Sequence, residues 1–216
     1  MKKTLAFDLD DTLYDEADYV RSGLSLVADE FAGELSCSVE SLQNLFAQLL
    51  HNGGRERIFN RALESLGHRY RQEQIEQMVA CYRSQKPQLR LYPGVRSMLA
   101  ELAQCYRLVL VTDGLPTMQR AKVEGLDISS QFERIIYCWE HDAPKPSAQG
   151  YRLAIGDANL SQAAIVGDNP VNDGEPAKAL GIPFVRVDSG RFAGTQGGDY
   201  LLNSVTELPE VLADVW

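Results

Sequence analysis

The chain has 216 residues, 44% hydrophobic and 24% charged, with a formal net charge of −9. That is the balance of an ordinary globular protein with one sizeable core, or with a core and a smaller insert, and the acidic excess argues against non-specific binding to nucleic acid or an anionic membrane. Lys2-Lys3-Thr4 leads directly into the first apolar run without a stretch of signal-peptide or membrane-spanning length, so a cytoplasmic protein is expected. The cysteines, Cys37, Cys81, Cys105 and Cys138, lie far apart without metal-binding or redox spacing, and are expected to be reduced and mostly buried.

The first predicted element is a short buried strand, Leu5-Ala6-Phe7, that stops abruptly at Asp8, Asp10, Asp11 and Thr12. Carboxylates crowded this closely raise one another's pKa values, so the cluster requires a bound cation, a shared proton or full solvation. From about Glu16 to Gln85 the pattern is helical. Val20, Leu24, Val27 and Phe31 form one face; Leu42, Leu45, Phe46 and Leu49 a second; Ile58, Ala62, Leu63 and Leu66 a third; Ile75, Met78, Val79 and Tyr82 a fourth. Turn chemistry separates them at Gly33, at His51-Asn52-Gly53-Gly54 and at Gly67-His68.

After Pro87, Tyr92-Pro93-Gly94 opens a helix with Val95, Met98, Leu99 and Leu102 on one face. Strands and helices then alternate. Leu108 to Val111 is a strand ending in Thr112-Asp113-Gly114, followed by a helix carrying Met118 and Ala121. Ile135-Ile136-Tyr137 is a third strand, with Lys145-Pro146 in the loop after it and a helix from about Ser147 to Ile155. Ala163 to Val166 is a fourth, ending in Gly167-Asp168-Asn169 before a helix that includes Asp173 and Leu180. Phe184 to Val187 is a fifth; a Gly-rich loop from Ser189 to Gly198, a short strand near Tyr200 and a helix from about Thr206 complete the chain. This alternation predicts an α/β fold with a doubly wound parallel sheet, formed by residues 1–14 and 88–216, and an inserted α-helical domain at 15–87.

In such a sheet the carboxyl ends of the strands share one edge, where ligands bind. Asp8, Asp10 and Thr12, then Thr112, then Lys145, then Asp168 and Asp173 would therefore converge. Paired carboxylates beside a lysine describe a Mg2+ site next to an anion, because hard oxygen donors with incomplete protein coordination suit that ion.

The order Asp8-Leu9-Asp10-Asp11-Thr12, Thr112, Lys145-Pro146, Gly167-Asp168 and Asp173 resembles the four motifs of the haloacid dehalogenase (HAD) superfamily, whose core is Rossmann-like, and the helical insert resembles its C1 cap. The resemblance implies that Asp8 is a nucleophile forming an aspartyl-phosphate, and that Asp10 is first the acid for the leaving group and then the base for water. It also implies that Asp8, the Asp10 main-chain carbonyl and Asp168 bind Mg2+, with Asp173 holding a metal-bound water or orienting Lys145. Thr112, Lys145 and the backbone N–H groups after Asp8 would meet the phosphoryl oxygens, with Thr12, Asp113 and Gly114 beside them. Dehalogenases lack an acid at the position of Asp10, so its presence favours phosphate chemistry. Many relatives have Asn where this chain has Asp113, which is open to two readings, a substrate contact or a helix cap.

The function implied is a Mg2+-dependent phosphatase acting on a small phosphorylated metabolite, such as a sugar phosphate, sugar-acid phosphate or nucleotide. A sugar phosphomutase on the same site and a non-enzymatic receiver-like or phospho-ligand module are the alternatives. The length, the insert and the Asp8/Asp10 pair weigh against the module. The sequence carries no signal of oligomeric state.

Overall fold

The computed structural model describes residues 2–156 and 160–216. The chain divides into two compact units, Met1–Glu16 with Leu89–Trp216, and Ala17–Gln88.

The first unit is built on a six-stranded, wholly parallel sheet in the order β3-β2-β1-β4-β5-β6. Its strands are β1 (Thr4–Phe7), β2 (Arg107–Thr112), β3 (Arg134–Tyr137), β4 (Ala163–Gly167), β5 (Phe184–Val187) and β6 (Tyr200–Leu202). β1 is central. Leu5, Ala6 and Phe7 have no exposed surface, as a continuous apolar run predicts for a strand covered on both faces. Helices α5 (Val95–Cys105), α6 (Pro116–Leu126), α7 (Gln149–Ile155), α8 (Gly174–Leu180) and α9 (Leu208–Val215) belong to this unit. On one face Ala6, Val109, Val111 and Ile165 pack with Tyr151, Ala154 and Ile155 of α7 and with Ala177 and Leu180 of α8. The pleat turns Phe7 to the opposite face, where its ring meets Phe132 edge-on at 6.0 Å.

The strand order reverses at β1, with β2 on one side and β4 on the other. The loops leaving β1 and β4 therefore flank the crevice at which doubly wound sheets place their ligands.

The second unit is formed by α2 (Val39–Gly53), α3 (Ile58–Ser65), α4 (Gln72–Arg83) and nearly all of α1 (Glu16–Phe31). It has its own core, in which Val27, Ala28, Leu42, Phe46, Ala62, Leu63 and Met78 are buried together. The predicted break at His51 to Gly54 lies later than expected. α2 continues through Gly53 and ends at Gly54, with φ 65°. The guanidinium of Arg61 donates to the carbonyls of Leu49 (3.3 Å) and Gly54, supplying partners that a helix end otherwise lacks.

Other boundaries also shift. Asp173 occupies the cap position before α8 rather than a place within it, and α9 starts at Leu208 after a short 3₁₀ turn over Val205–Glu207. The expectation of mostly buried thiols is corrected: only Cys138 is buried, Cys37 and Cys81 are half-buried, and Cys105 is exposed. Cys105 is the last residue of α5, beyond the buried stripe Val95, Met98, Leu99 and Leu102. Among the described residues no helix is long and apolar enough to cross a membrane.

Candidate active site

The site grows from the end of β1. Asp8 still belongs to the sheet, since its N–H donates to the Val166 carbonyl at 2.8 Å. Its carboxylate Oδ2 accepts from the Thr12 hydroxyl at 3.2 Å, and its Oδ1 accepts from the Lys145 ammonium. Lys145 also donates to Asp173 Oδ1 at 2.7 Å, so one buried cation bridges two acids that are 165 positions apart in the sequence. The Tyr151 hydroxyl, on α7, donates to the same Asp173 oxygen at 2.6 Å, while Asp173 Oδ2 accepts from the Asn169 N–H at 3.2 Å.

Asp173 reaches back to the strand end because residue 167 is glycine. A Cβ there would lie 2.4 Å from Asp173 Oδ2 and 2.6 Å from its Cγ. No side-chain carbon fits.

Asp8, Asp168 and Asp173 are all buried, and each offers a ligand oxygen within 4.8 Å of the others. Their electrostatics fit a cation. Burial, opposed by Lys145 and reinforced by Asp173 and Asp10, pushes the Asp8 carboxyl up to about 7. Burial and the charges of Asp8 and Asp173 raise Asp168 to about 9. Lys145 responds in the opposite way: burial would lower it, but Asp173 and Asp8 outweigh that and hold the ammonium well above its ordinary value. Three hard oxygen donors, with Asp8 and Asp168 raised by burial and by neighbouring charge, are a donor set for a small divalent ion such as Mg2+.

Asp10 faces elsewhere. Both its oxygens accept from Lys122 Nζ, at 2.7 and 2.8 Å, and Oδ1 also accepts from the Tyr14 hydroxyl. Tyr14 is fully buried, and burial followed by the charge of Asp10 pushes its hydroxyl far above the ordinary tyrosine range. Asp11 has φ 57°; its side chain accepts from the Glu16 N–H at 2.9 Å, and its carbonyl accepts from the Ser189 hydroxyl.

The second motif is likewise internally bonded. The Thr112 hydroxyl donates to Gln119 Oε1 at 2.8 Å. Gly114, at φ 119°, leaves room for that amide, because a Cβ would stand 3.0 Å from Gln119 Nε2. Asp113 Oδ1 accepts from the Lys145 N–H at 3.0 Å, and no side-chain cap is formed at the start of α6. The helix-cap reading is thereby corrected: Asp113 ties the second motif to the third.

The fold brings Asp8, Thr12, Lys145, Asp168 and Asp173 into one linked cluster, and sets Asp10, Thr112 and Asp113 around it through partners of their own. The sequence reading missed four partners: Lys122 and the Tyr14 hydroxyl on Asp10, Gln119 on Thr112, and Tyr151 on Asp173. For α6 a signal existed. Gln119, Lys122, Val123 and Leu126 are its buried residues, an i, i+3, i+4, i+7 stripe with two polar members, whereas Met118 is only half-buried. Arg186, on β5, is wholly buried and bound to Asp188, to Thr195 and to the Phe192 carbonyl within the Gly-rich loop. Arg57 of the insert pairs with Glu64 at 3.7 Å.

A parallel sheet with its strand order reversing at β1, and acids from two adjacent strand ends closed around a lysine, define the HAD class of α/β hydrolases. Sequence comparison agrees: a profile of the haloacid dehalogenase-like hydrolases matches residues 5–187, and the chain belongs to that family. A glyceraldehyde 3-phosphate phosphatase of Methanocaldococcus jannaschii is 28% identical over 225 residues, covering 100% of this chain and 99% of that protein. A phosphoserine phosphatase of Thermus thermophilus is 32% identical over 139 residues, covering 63% of this chain and 55% of that protein. Among solved structures, a magnesium-bound HAD-hydrolase from Bacillus subtilis superposes with a TM-score of 0.72 at 18% identity, covering 98% of each chain, which supports the fold.

Proposed function

We propose that this enzyme is a Mg2+-dependent phosphatase that hydrolyses a small phosphomonoester through an aspartyl-phosphate on Asp8. The observation that carries the reading is the closed cluster of Asp8, Lys145, Asp168 and Asp173, a buried nucleophile with a fixed cation and two further acids. Family membership and the phosphatase names of relatives, which include glyceraldehyde 3-phosphate and phosphoglycolate phosphatases, support phosphoryl over halide chemistry.

Asp8, Asp168 and Asp173, with the main-chain carbonyl of Asp10, would hold Mg2+, which on binding supplies positive charge beside the phosphoryl oxygens. Thr12 and Lys145 orient the Asp8 carboxylate for attack on phosphorus. The P–O bond to the leaving group breaks as the Asp8–phosphorus bond forms, and Asp10 gives its proton to the departing oxygen. Asp10 then takes a proton from water as that water attacks phosphorus, releasing phosphate and restoring Asp8. Lys145 meets the charge on the transferring group, and the Thr112 hydroxyl joins it by turning from Gln119, which otherwise holds its proton. We assign the helical unit Ala17–Gln88, inserted in the chain after the first motif, the role of a C1-type cap.

The test is steady-state hydrolysis of p-nitrophenyl phosphate, glyceraldehyde 3-phosphate, phosphoserine and phosphoglycolate, with Mg2+ or EDTA, by wild type and Asp8→Asn. Turnover that requires Mg2+ and falls by about 10⁴-fold or more in Asp8→Asn is expected, in line with removal of a covalent nucleophile. Turnover retained in Asp8→Asn would overturn the assignment.

A further inference from the structure

Lys122 lies outside the four motifs, yet its side chain is only 2% exposed and its ammonium is spent on the acid that the mechanism requires. It holds Asp10 by both oxygens, at 2.7 and 2.8 Å, with Glu16 Oε1 3.5 Å away. The Tyr14 hydroxyl adds a second donor to Asp10 Oδ1. The two oxygens of Asp10 are therefore unequal. Oδ1 receives two donors, while Oδ2 receives Lys122, so the carboxyl is held in one rotation.

One turn earlier on the same face of α6, Gln119 holds Thr112. Residues three apart on a helix are neighbours, so one rigid turn fixes two of the groups that surround the phosphoryl site. Burying an ammonium is costly, and an apolar residue would fill the same volume without that cost.

We propose that Lys122 is a positioning residue for Asp10: together with Tyr14 it locks the orientation of the carboxyl that serves the leaving-group oxygen. The proposal rests on the assignment of Asp10 as the acid and base of a phosphatase. Asp10 remains the group that touches the reacting atoms, and Lys122 acts through it. An ion pair that merely fastened α6 to the loop after β1 would support all substrates alike. In the transfer to Asp8, the step that kcat/KM reports, a positioned acid matters only when the leaving group needs a proton.

The experiment compares kcat/KM for p-nitrophenyl phosphate, whose phenolate leaves without a proton, with that for whichever of glyceraldehyde 3-phosphate, phosphoserine and phosphoglycolate the wild type cleaves fastest. The proteins are wild type, Asp10→Asn, Lys122→Met, Tyr14→Phe and the Asp10→Asn/Lys122→Met double variant. Lys122→Met is expected to lose about 10²-fold on the alkyl ester and less than about threefold on the aryl ester. It should add almost nothing in the Asp10→Asn background. Tyr14→Phe, which keeps the buried ring, should show a smaller split in the same direction and serves as the test should Lys122→Met fail to fold.

Equal losses on both esters, or fully additive losses in the double variant, would overturn the role of Lys122 provided that Asp10→Asn itself shows the split. Absence of the split in Asp10→Asn would overturn the assignment of Asp10 instead.

Discussion

Replacing Lys145 with methionine isolates the charge that holds the site together. Its Nζ donates to Asp8 and, at 2.7 Å, to Asp173; the three side chains are only 2%, 11% and 1% exposed. Methionine fills a similar volume, so the main loss is electrostatic, and breaking a buried ion pair by removing one partner costs about 3–5 kcal/mol. In a chain of this size each kcal/mol shifts Tm by roughly 2–4 °C, so a fall of about 6–20 °C is expected in EDTA at pH 8. Lower pH should soften the loss. Asp8 already stands at about 7, and without the opposing lysine it rises further, so a proton bound near pH 6 replaces part of the missing charge. Mg2+ should also restore stability, by binding the folded site and not the unfolded chain. Both tryptophans, Trp139 and Trp216, belong to the α/β unit, so their fluorescence follows the unfolding of the unit that contains the site. A Tm within about 2 °C of wild type in EDTA at pH 8 would refute the reasoning, since a lysine buried against two carboxyl groups cannot be silent.

Two further outcomes follow from the same cluster. Gly167→Ala, whose Cβ would meet Asp173 Oδ2 at 2.4 Å, should push that carboxylate aside and weaken Mg2+ binding by about 10–100-fold in titration calorimetry; unchanged affinity would show that Asp173 has no part in holding the ion. Because burial and repulsion among the carboxylates push Asp8 up to about 7 and Asp168 up to about 9, Mg2+ should displace protons, and its affinity should rise between pH 6 and 8 by up to about tenfold per pH unit for each proton released. Binding heats that do not vary with buffer ionisation enthalpy would refute proton release.

The sheet was legible because its inner strands are unbroken apolar runs. Leu5 to Phe7, Leu108 to Val111 and Ala163 to Val166 read as buried on both faces and are so. The positions of the acids followed from where those runs stop. The side-chain partners were not legible, because a lysine or glutamine on a helix reads as solvent-facing by default. Lys122 and Gln119 lie on the buried face of α6 only because Asp10 and Thr112, from other strands, provide matching groups there. That information is tertiary. Asp113 shows the same limit: its local context suggested a helix cap, whereas its partner is the N–H of Lys145, 32 residues later.

The central position of β1 also has a consequence for how the protein is made. Its neighbours begin at Arg107 and Ala163, so Leu5, Ala6 and Phe7 leave the ribosome with neither flank available for pairing. At roughly 5–20 residues per second, the first partner follows about 5–20 s later. During that interval Ala17–Gln88, with a core of its own, is completed, while the strand that leads into Asp8 waits as an unpaired apolar segment. Lys145 and then Asp173 follow still later, so the cluster around Asp8 closes only after the chain has been made through β4 and the start of α8.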